Sequence, residues 1–235
     1  MTKKLPTIVV SMPAYDTMQV PTCLSLLKLF DKFTAAKIKG TINTFKCPYV
    51  GYSRNILTAM FLSTDFEYQL FVDADVEFEP DVVGRMLLAE KDFICCPYRK
   101  KTQDNSVKYS VFFDNFQNIK IDEKGITQVR RGPAGLTLIH RRVYEQLMAK
   151  HPELRIKNPG GGIPESAHKF LYNFWEVDFN DGIWIGEDVK FCDLVERAGF
   201  KFHALVDGET THHGTYGWKG KLNDTFTRAD GKTDA

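Results

Sequence analysis

Cysteine is scarce in this chain of 235 residues: there are five, an odd number, and no two are spaced as Cys-x-x-Cys. That excludes a framework of paired disulfides and the common thiolate zinc site, and it makes reduced, buried thiols the expectation. The adjacent Cys95 and Cys96, in an expected strand, should face opposite sides of a sheet. Long apolar runs are missing too. None approaches the length of a membrane-spanning helix, and the run at residues 8–10 is too short for a signal-peptide core, so a cytoplasmic protein without a transmembrane segment is expected. Charge of one sign is not in excess, since 31 basic and 30 acidic residues leave a formal +1. No overall field therefore draws nucleic acid or an anionic membrane. Repeats and low-complexity segments are absent as well, which sets aside solenoids and arrays.

The length and a hydrophobic content of 43% suffice for a substantial core, expected as one domain over residues 1–222 with a flexible tail over 223–235. Strand signals at 5–11, 38–45 and up to residue 72 alternate with helix signals at 21–33, 53–62 and just after Pro80. In the first helix Leu24, Leu27 and Phe30 are among the apolar positions; in the second Ile56, Leu57, Met60 and Phe61 make one face. Such alternation predicts an α/β fold with a mainly parallel central sheet flanked by helices. After a strand at 93–96 the character changes, and short candidates at 107–113, 119–121, 126–129 and 136–139 predict a small antiparallel portion. A helix at 141–150 leads to a Gly- and Pro-rich stretch at 158–164, read as either a surface connector or a substrate lid. The last helix, at 187–198, stops at Gly199 and precedes a strand at 202–206.

Asp73 and Asp75 stand one residue apart at the end of the apolar run Leu70, Phe71, Val72. With eighteen aspartates in the chain, random order would give roughly one such spacing, so the flanking strand matters more than the spacing. Strand ends of open α/β sheets face the ligand crevice, and residues two apart on extended chain point the same way, so both carboxylates can approach one hard cation. Further polar groups recur in order: Met12-Pro-Ala-Tyr-Asp16 after the first strand, Ser53-Arg-Asn55 at the second helix, Gly132-Pro-Ala-Gly135 before a buried strand, Gly186-Glu-Asp188 opening the last helix, and Thr211-His-His-Gly214.

In this order the segments resemble nucleotide-sugar-dependent glycosyltransferases of the GT-A fold over residues 6–218, most of all the compact family-2-like proteins of phages, large DNA viruses and bacteria. The resemblance implies a Rossmann-like GT-A domain that moves a sugar from a nucleoside diphosphate, UDP before GDP, to an acceptor hydroxyl. It implies Mn²⁺ or Mg²⁺ on Asp73, Asp75 and a histidine, with His212 preferred over His213. An imidazole among oxygen ligands suits Mn²⁺ somewhat better. Pro13, Ala14, Tyr15 and Asp16 are implied at the base and ribose, Ala74 beside the diphosphate, Arg54 either reaching the diphosphate or bracing the Asp-x-Asp carboxylates, and Trp218 and Lys219 on a mobile loop closing over the donor. Asp188 is implied as the base that takes the acceptor proton, with Glu187 beside it in acceptor contacts. The helix dipole at that position favours the ionised carboxylate while limiting its basicity. Arg99, Lys100 and Lys101 read as a solvated loop.

Three rivals stay open at this point. A haloacid-dehalogenase-type phosphatase also uses Asp-x-Asp and Mg²⁺, but its nucleophile closes the first strand, whereas two β-α units precede Asp73 here. A nucleotidyltransferase would show an early glycine-rich basic loop, which is missing. A non-catalytic sugar-binding module of the same fold would not need both acidic pairs. The acceptor itself, whether glycan, lipid-linked sugar, protein or nucleic-acid base, does not follow from these residues, nor do the stereochemical outcome, the oligomeric state or the source, though a phage origin would place the protein in host cytoplasm.

Overall fold

The computed structural model describes residues 4–102 and 106–226. Apolar runs give β1 (Thr7–Ala14) and β3 (Tyr68–Val72), with the more polar β2 (Lys39–Lys46) paired to β1, and α1 (Val20–Ala35) and α2 (Val50–Leu62) connect the three. A short β4 (Val76–Phe78) follows Asp75, then α3 (Pro80–Leu88), β5 (Phe93–Cys95), β6 (Ile126–Val129), β7 (Leu136–His140) and α4 (Arg141–Lys150). The rest comprises α5 (Glu165–His168), the hairpin β8 (Asp178–Asn180) and β9 (Ile183–Ile185), α6 (Glu187–Arg197), β10 (Phe202–Leu205), and the hairpin β11 (Thr210–His213) and β12 (Gly217–Gly220).

Seven strands form the central sheet in the order β2-β1-β3-β7-β5-β10-β6. β1 is parallel to β2 and β3, and β10 to β5, whereas β7 runs antiparallel between β3 and β5, and β6 antiparallel at the edge. A separate antiparallel sheet joins β12, β11 and β4. The inner strands β1, β3, β5 and β7 are buried on both faces and mostly apolar, whereas the edge strand β2 is polar and partly exposed. Val9, Phe71 and Cys95 belong to one core layer, while their neighbours Ile8, Val10, Leu70, Val72 and Cys96 belong to the other. The two adjacent cysteines do face opposite sides, as free thiols.

Several expectations need correction. Along α1 the inner face is Thr22, Ser25, Leu26, Leu29 and Phe33, whereas Leu24 and Leu27 are exposed. A polar residue is tolerated inside because Ser25 Oγ accepts the backbone N–H of Phe78 at 3.1 Å, satisfying both groups. Residues 107–113 and 119–121 form no strand; the backbone there makes only isolated bridges, Arg99 with Tyr109 and Phe112 with Arg131. At the start of the expected tail the chain is held in place: Leu222 is buried, Asn223 N–H donates to the Val206 carbonyl at 2.7 Å, and Phe226 packs edge-on against Phe113. Residues 227–235 lie outside the described part. The stretch 158–164 is irregular, and no described helix is long and apolar enough to cross a membrane.

Candidate active site

The C-terminal ends of β1 and β3 open on one edge of the sheet, and β7, running the other way, brings its first residues to the same edge. Asp73 follows β3 directly, and its N–H donates to the carbonyl of Gly135, just before β7, at 2.8 Å. A Cβ on Gly135 would stand 2.2 Å from Asp73 Oδ2 and 2.4 Å from the Tyr98 hydroxyl, so the approach requires glycine. Arg54 Nη2 donates to Asp73 Oδ1 at 2.7 Å, and the Tyr98 hydroxyl donates to Oδ2 at 3.2 Å while accepting the Gly135 N–H. Both oxygens of Asp73 are thus engaged. Burial and the charge of Asp73 push the Tyr98 phenol well above its ordinary value, so it stays a donor.

Arg54 lies in the second turn of α2, since that helix begins at Val50, three residues earlier than expected. It is 3% exposed, its Nε lies 3.6 Å from Glu187, and its guanidinium lies against the rings of Phe71 and Trp175, which touch each other edge-on. Burial opposes its charge, but Asp73 and Glu187 more than offset that and raise its pKa. Arg54 therefore joins the first acidic pair to the second.

Asp75 belongs to a different cluster. Lys101 Nζ meets its Oδ2 at 2.5 Å and His212 Nε2 lies 3.5 Å from Oδ1. Burial alone would raise the Asp75 carboxyl, but hydrogen bonds and charge from His212 and Lys101 hold it down to about 2. His212 Nδ1 is 2.9 Å from the Arg99 carbonyl. A carbonyl only accepts, so Nδ1 carries a proton and Nε2 is the nitrogen turned toward Asp75. A carboxylate beside an imidazole whose other nitrogen is fixed by a carbonyl is a pair that could hold a divalent metal. Alternation along β11 sends His213 to the other face, with Nε2 2.8 Å from Glu77. The three-ligand set of Asp73, Asp75 and His212 is not assembled: among the described residues no three such side chains converge, because Asp73 is turned to Arg54 and Tyr98.

Trp218 and Lys219 are not on a free loop. Both lie in β12, Trp218 opposite His212 and Lys219 opposite Thr211. Trp218 shares the His212 face, and its indole N–H donates to the Thr102 carbonyl at 3.2 Å, pinning the segment that carries Lys101. Lys219 points to the other face and pairs with Glu209 at 2.9 Å, so the structure does not bring it to the cluster.

Glu187 and Asp188 open α6. Burial raises the pKa of each, against the pull of Arg54 and, for Asp188, of the Val189 N–H that donates to it at 2.8 Å. Desolvation thus outweighs the dipole effect expected from the helix start, and it makes Asp188 a better proton acceptor. Pro13, Tyr15, Asp73, Ala74 and Asp75 line one cavity of about 320 Å³ with Gln19 and Cys47. Ala14, by contrast, pairs with Lys46 at the end of β1, and Asp16 forms an exposed ion pair with Lys46 at 2.8 Å. A larger cavity, about 950 Å³, lies among Ser63, Arg141 and Arg155 and contains none of these residues. Arg141 there is committed to the carbonyls of Leu62, Thr64 and Phe66.

Sequence reading passed over Tyr98 and treated Lys101 as solvated. A signal existed: both follow β5, whose C-terminal end faces the same edge as that of β3, where ligands bind.

An open, mainly parallel sheet carries one reversed strand beside the acidic strand end, and that end leads into a small antiparallel sheet. The fold is GT-A-like. No family model matches the chain, and no curated protein does. Among solved structures, A197 from STIV is 21% identical with a TM-score of 0.51, over 89% of this chain and 86% of that one. A glycosyltransferase involved in glycosylation of the major capsid of PBCV-1 is 11% identical, with a TM-score of 0.35 over 68% and 72% of the two chains. S. aureus TarS, residues 1–349, is 14% identical, with a TM-score of 0.36 over 72% and 54%.

Proposed function

We propose that this chain is a glycosyltransferase that moves a sugar from a nucleoside diphosphate to an acceptor hydroxyl. The observation that carries the reading is Arg54, which ties Asp73, two residues from the Asp75 and His212 pair suited to a cation and diphosphate, to a second, desolvated acidic pair suited to accept a proton. The cavity beside Pro13 and Tyr15 takes the nucleotide, with UDP the first candidate. Asp75 and His212 would hold Mn²⁺ or Mg²⁺, which supplies positive charge to the departing diphosphate. Lys101 adds a cation of the chain's own on the same carboxylate. Asp73, braced by Arg54 and Tyr98, presents its acceptor capacity to the ribose or sugar. Asp188 removes the hydroxyl proton as the acceptor oxygen bonds to the anomeric carbon and the bond from that carbon to the phosphate oxygen breaks.

The phosphatase reading fares worse on one observation, namely that both oxygens of Asp73 are already hydrogen-bonded, whereas a nucleophile needs one free for in-line attack. The test is thermal unfolding with UDP or GDP, each with and without Mn²⁺. Stabilisation by a nucleoside diphosphate that requires metal is the expected result, and a ligand at about a hundred times its Kd adds roughly 2.7 kcal/mol. Absence of nucleotide binding together with Asp73-dependent hydrolysis of a phosphate ester would overturn the proposal.

A further inference from the structure

One element of the fold has no covering layer. β8 and β9 pair only with each other, through Asp181 and Gly182, whose φ of 49° and 75° suits the two-residue turn that matches hairpin twist. The register sets Phe179 directly opposite Trp184. Their rings share one face, with centroids 6.4 Å apart and planes inclined at 55°, and they are 66% and 72% exposed. Their neighbours Asp178 and Ile185 turn to the opposite face, where Lys190 of α6 grips Asp178. The hairpin is therefore tied to α6 at its base through Asp178, while its outer part, with the Phe179 and Trp184 rings, stands exposed. Rings of this size are ordinarily buried, and an aromatic pair held in the open by a backbone ladder marks a contact surface.

Its place in the chain connects that surface to the site. The backbone approaches the hairpin past Trp175, whose carbonyl would stand 2.4 Å from a Cβ on Gly51, at the start of α2. It leaves through Gly186 straight into Glu187 and Asp188. Charge then narrows the occupant. Asp181, in the turn that joins the two strands, is exposed and no ion pair is seen for it among the described residues, so its carboxylate disfavours an anionic lipid surface or a nucleic-acid backbone at the rings. A neutral saccharide is not disfavoured. The C–H face of a pyranose packs against an aromatic ring, and its hydroxyls donate to carboxylates.

We propose that Phe179 and Trp184 form a platform for a neutral saccharide, holding the part of the acceptor beyond the sugar whose hydroxyl meets Asp188. This rests on the glycosyl-transfer reading. The experiment is saturation-transfer NMR on the full chain with short neutral oligosaccharides of glucose, galactose, mannose or N-acetylglucosamine. At least one is expected to show transfer to its ring C–H protons, and Trp184→Ala and Phe179→Ala should each weaken that contact about tenfold, with UDP-induced stabilisation unchanged as the control for folding. If no oligosaccharide binds, or if both variants bind as well as wild type, the platform is overturned. It is equally overturned if Trp184 instead governs sedimentation with phosphatidylglycerol vesicles or formation of a dimer in light scattering. UDP binding without saccharide contact sinks the platform alone; missing UDP binding with a Trp184-dependent saccharide contact sinks the transfer reading alone.

Discussion

Arg54 is buried against two aromatic rings, and its two carboxylate partners, Asp73 and Glu187, come from different parts of the chain. Replacing it by Met keeps much of the volume but leaves two partly buried acids without their counter-charge. Arg54→Met should therefore lower unfolding stability by about 3 kcal/mol, read from the denaturant midpoint; a shift near zero would mean that solvent, not Arg54, carries those charges. Asp188 makes a kinetic prediction. Its raised pKa means that the protonated, inactive form persists to higher pH than the ordinary value near ~4, so the acid limb of kcat/KM should lie above that value. Asp188→Asn should cut transfer by about 10²- to 10⁴-fold while UDP still stabilises the protein. Of the individual residues, the two acidic pairs and His212 were legible from type and order. Tyr98 was not, because a tyrosine three residues past a strand shows its role only when Asp73 and Gly135 are brought beside it.

At the scale of elements, the strands buried on both faces and the capped or Pro-started helices were readable, since apolar runs and helix periodicity are local properties. The face of α1 was misread because Ser25 looks polar while its hydroxyl answers a donor on β4. The turn Asp181-Gly182 carried a hairpin signature in plain view. β11 and β12 carried none: histidines, threonines and glycines do not alternate in hydropathy, and pairing with β4 is what makes β11 a strand there. Gly135 offers the test of an element junction. Gly135→Ala places a methyl against Asp73 and Tyr98, so a loss of about 2 kcal/mol in stability and weakened UDP binding are expected. A variant with wild-type midpoint and wild-type UDP response would show that β7 can back away without consequence.

On the scale of the molecule, the candidate site draws on residues 54, 73, 98, 135, 187 and 212, which no stretch of sequence holds together. Composition set the class of fold and the absence of a long apolar helix, and periodicity set most of the layers. Strand order lay beyond both, because nothing local says that β7 must enter between β3 and β5. That insertion has a temporal side. β3 and β5 are made well before β7 along the chain, yet neither can complete its ladder until β7 arrives, and pairings of such separation form slowly. Asp73 meets Gly135 only at that moment. During refolding, far-UV signal from the helices should therefore recover ahead of the ability to bind UDP, and competence for nucleotide becomes a clock for closure of the middle of the sheet.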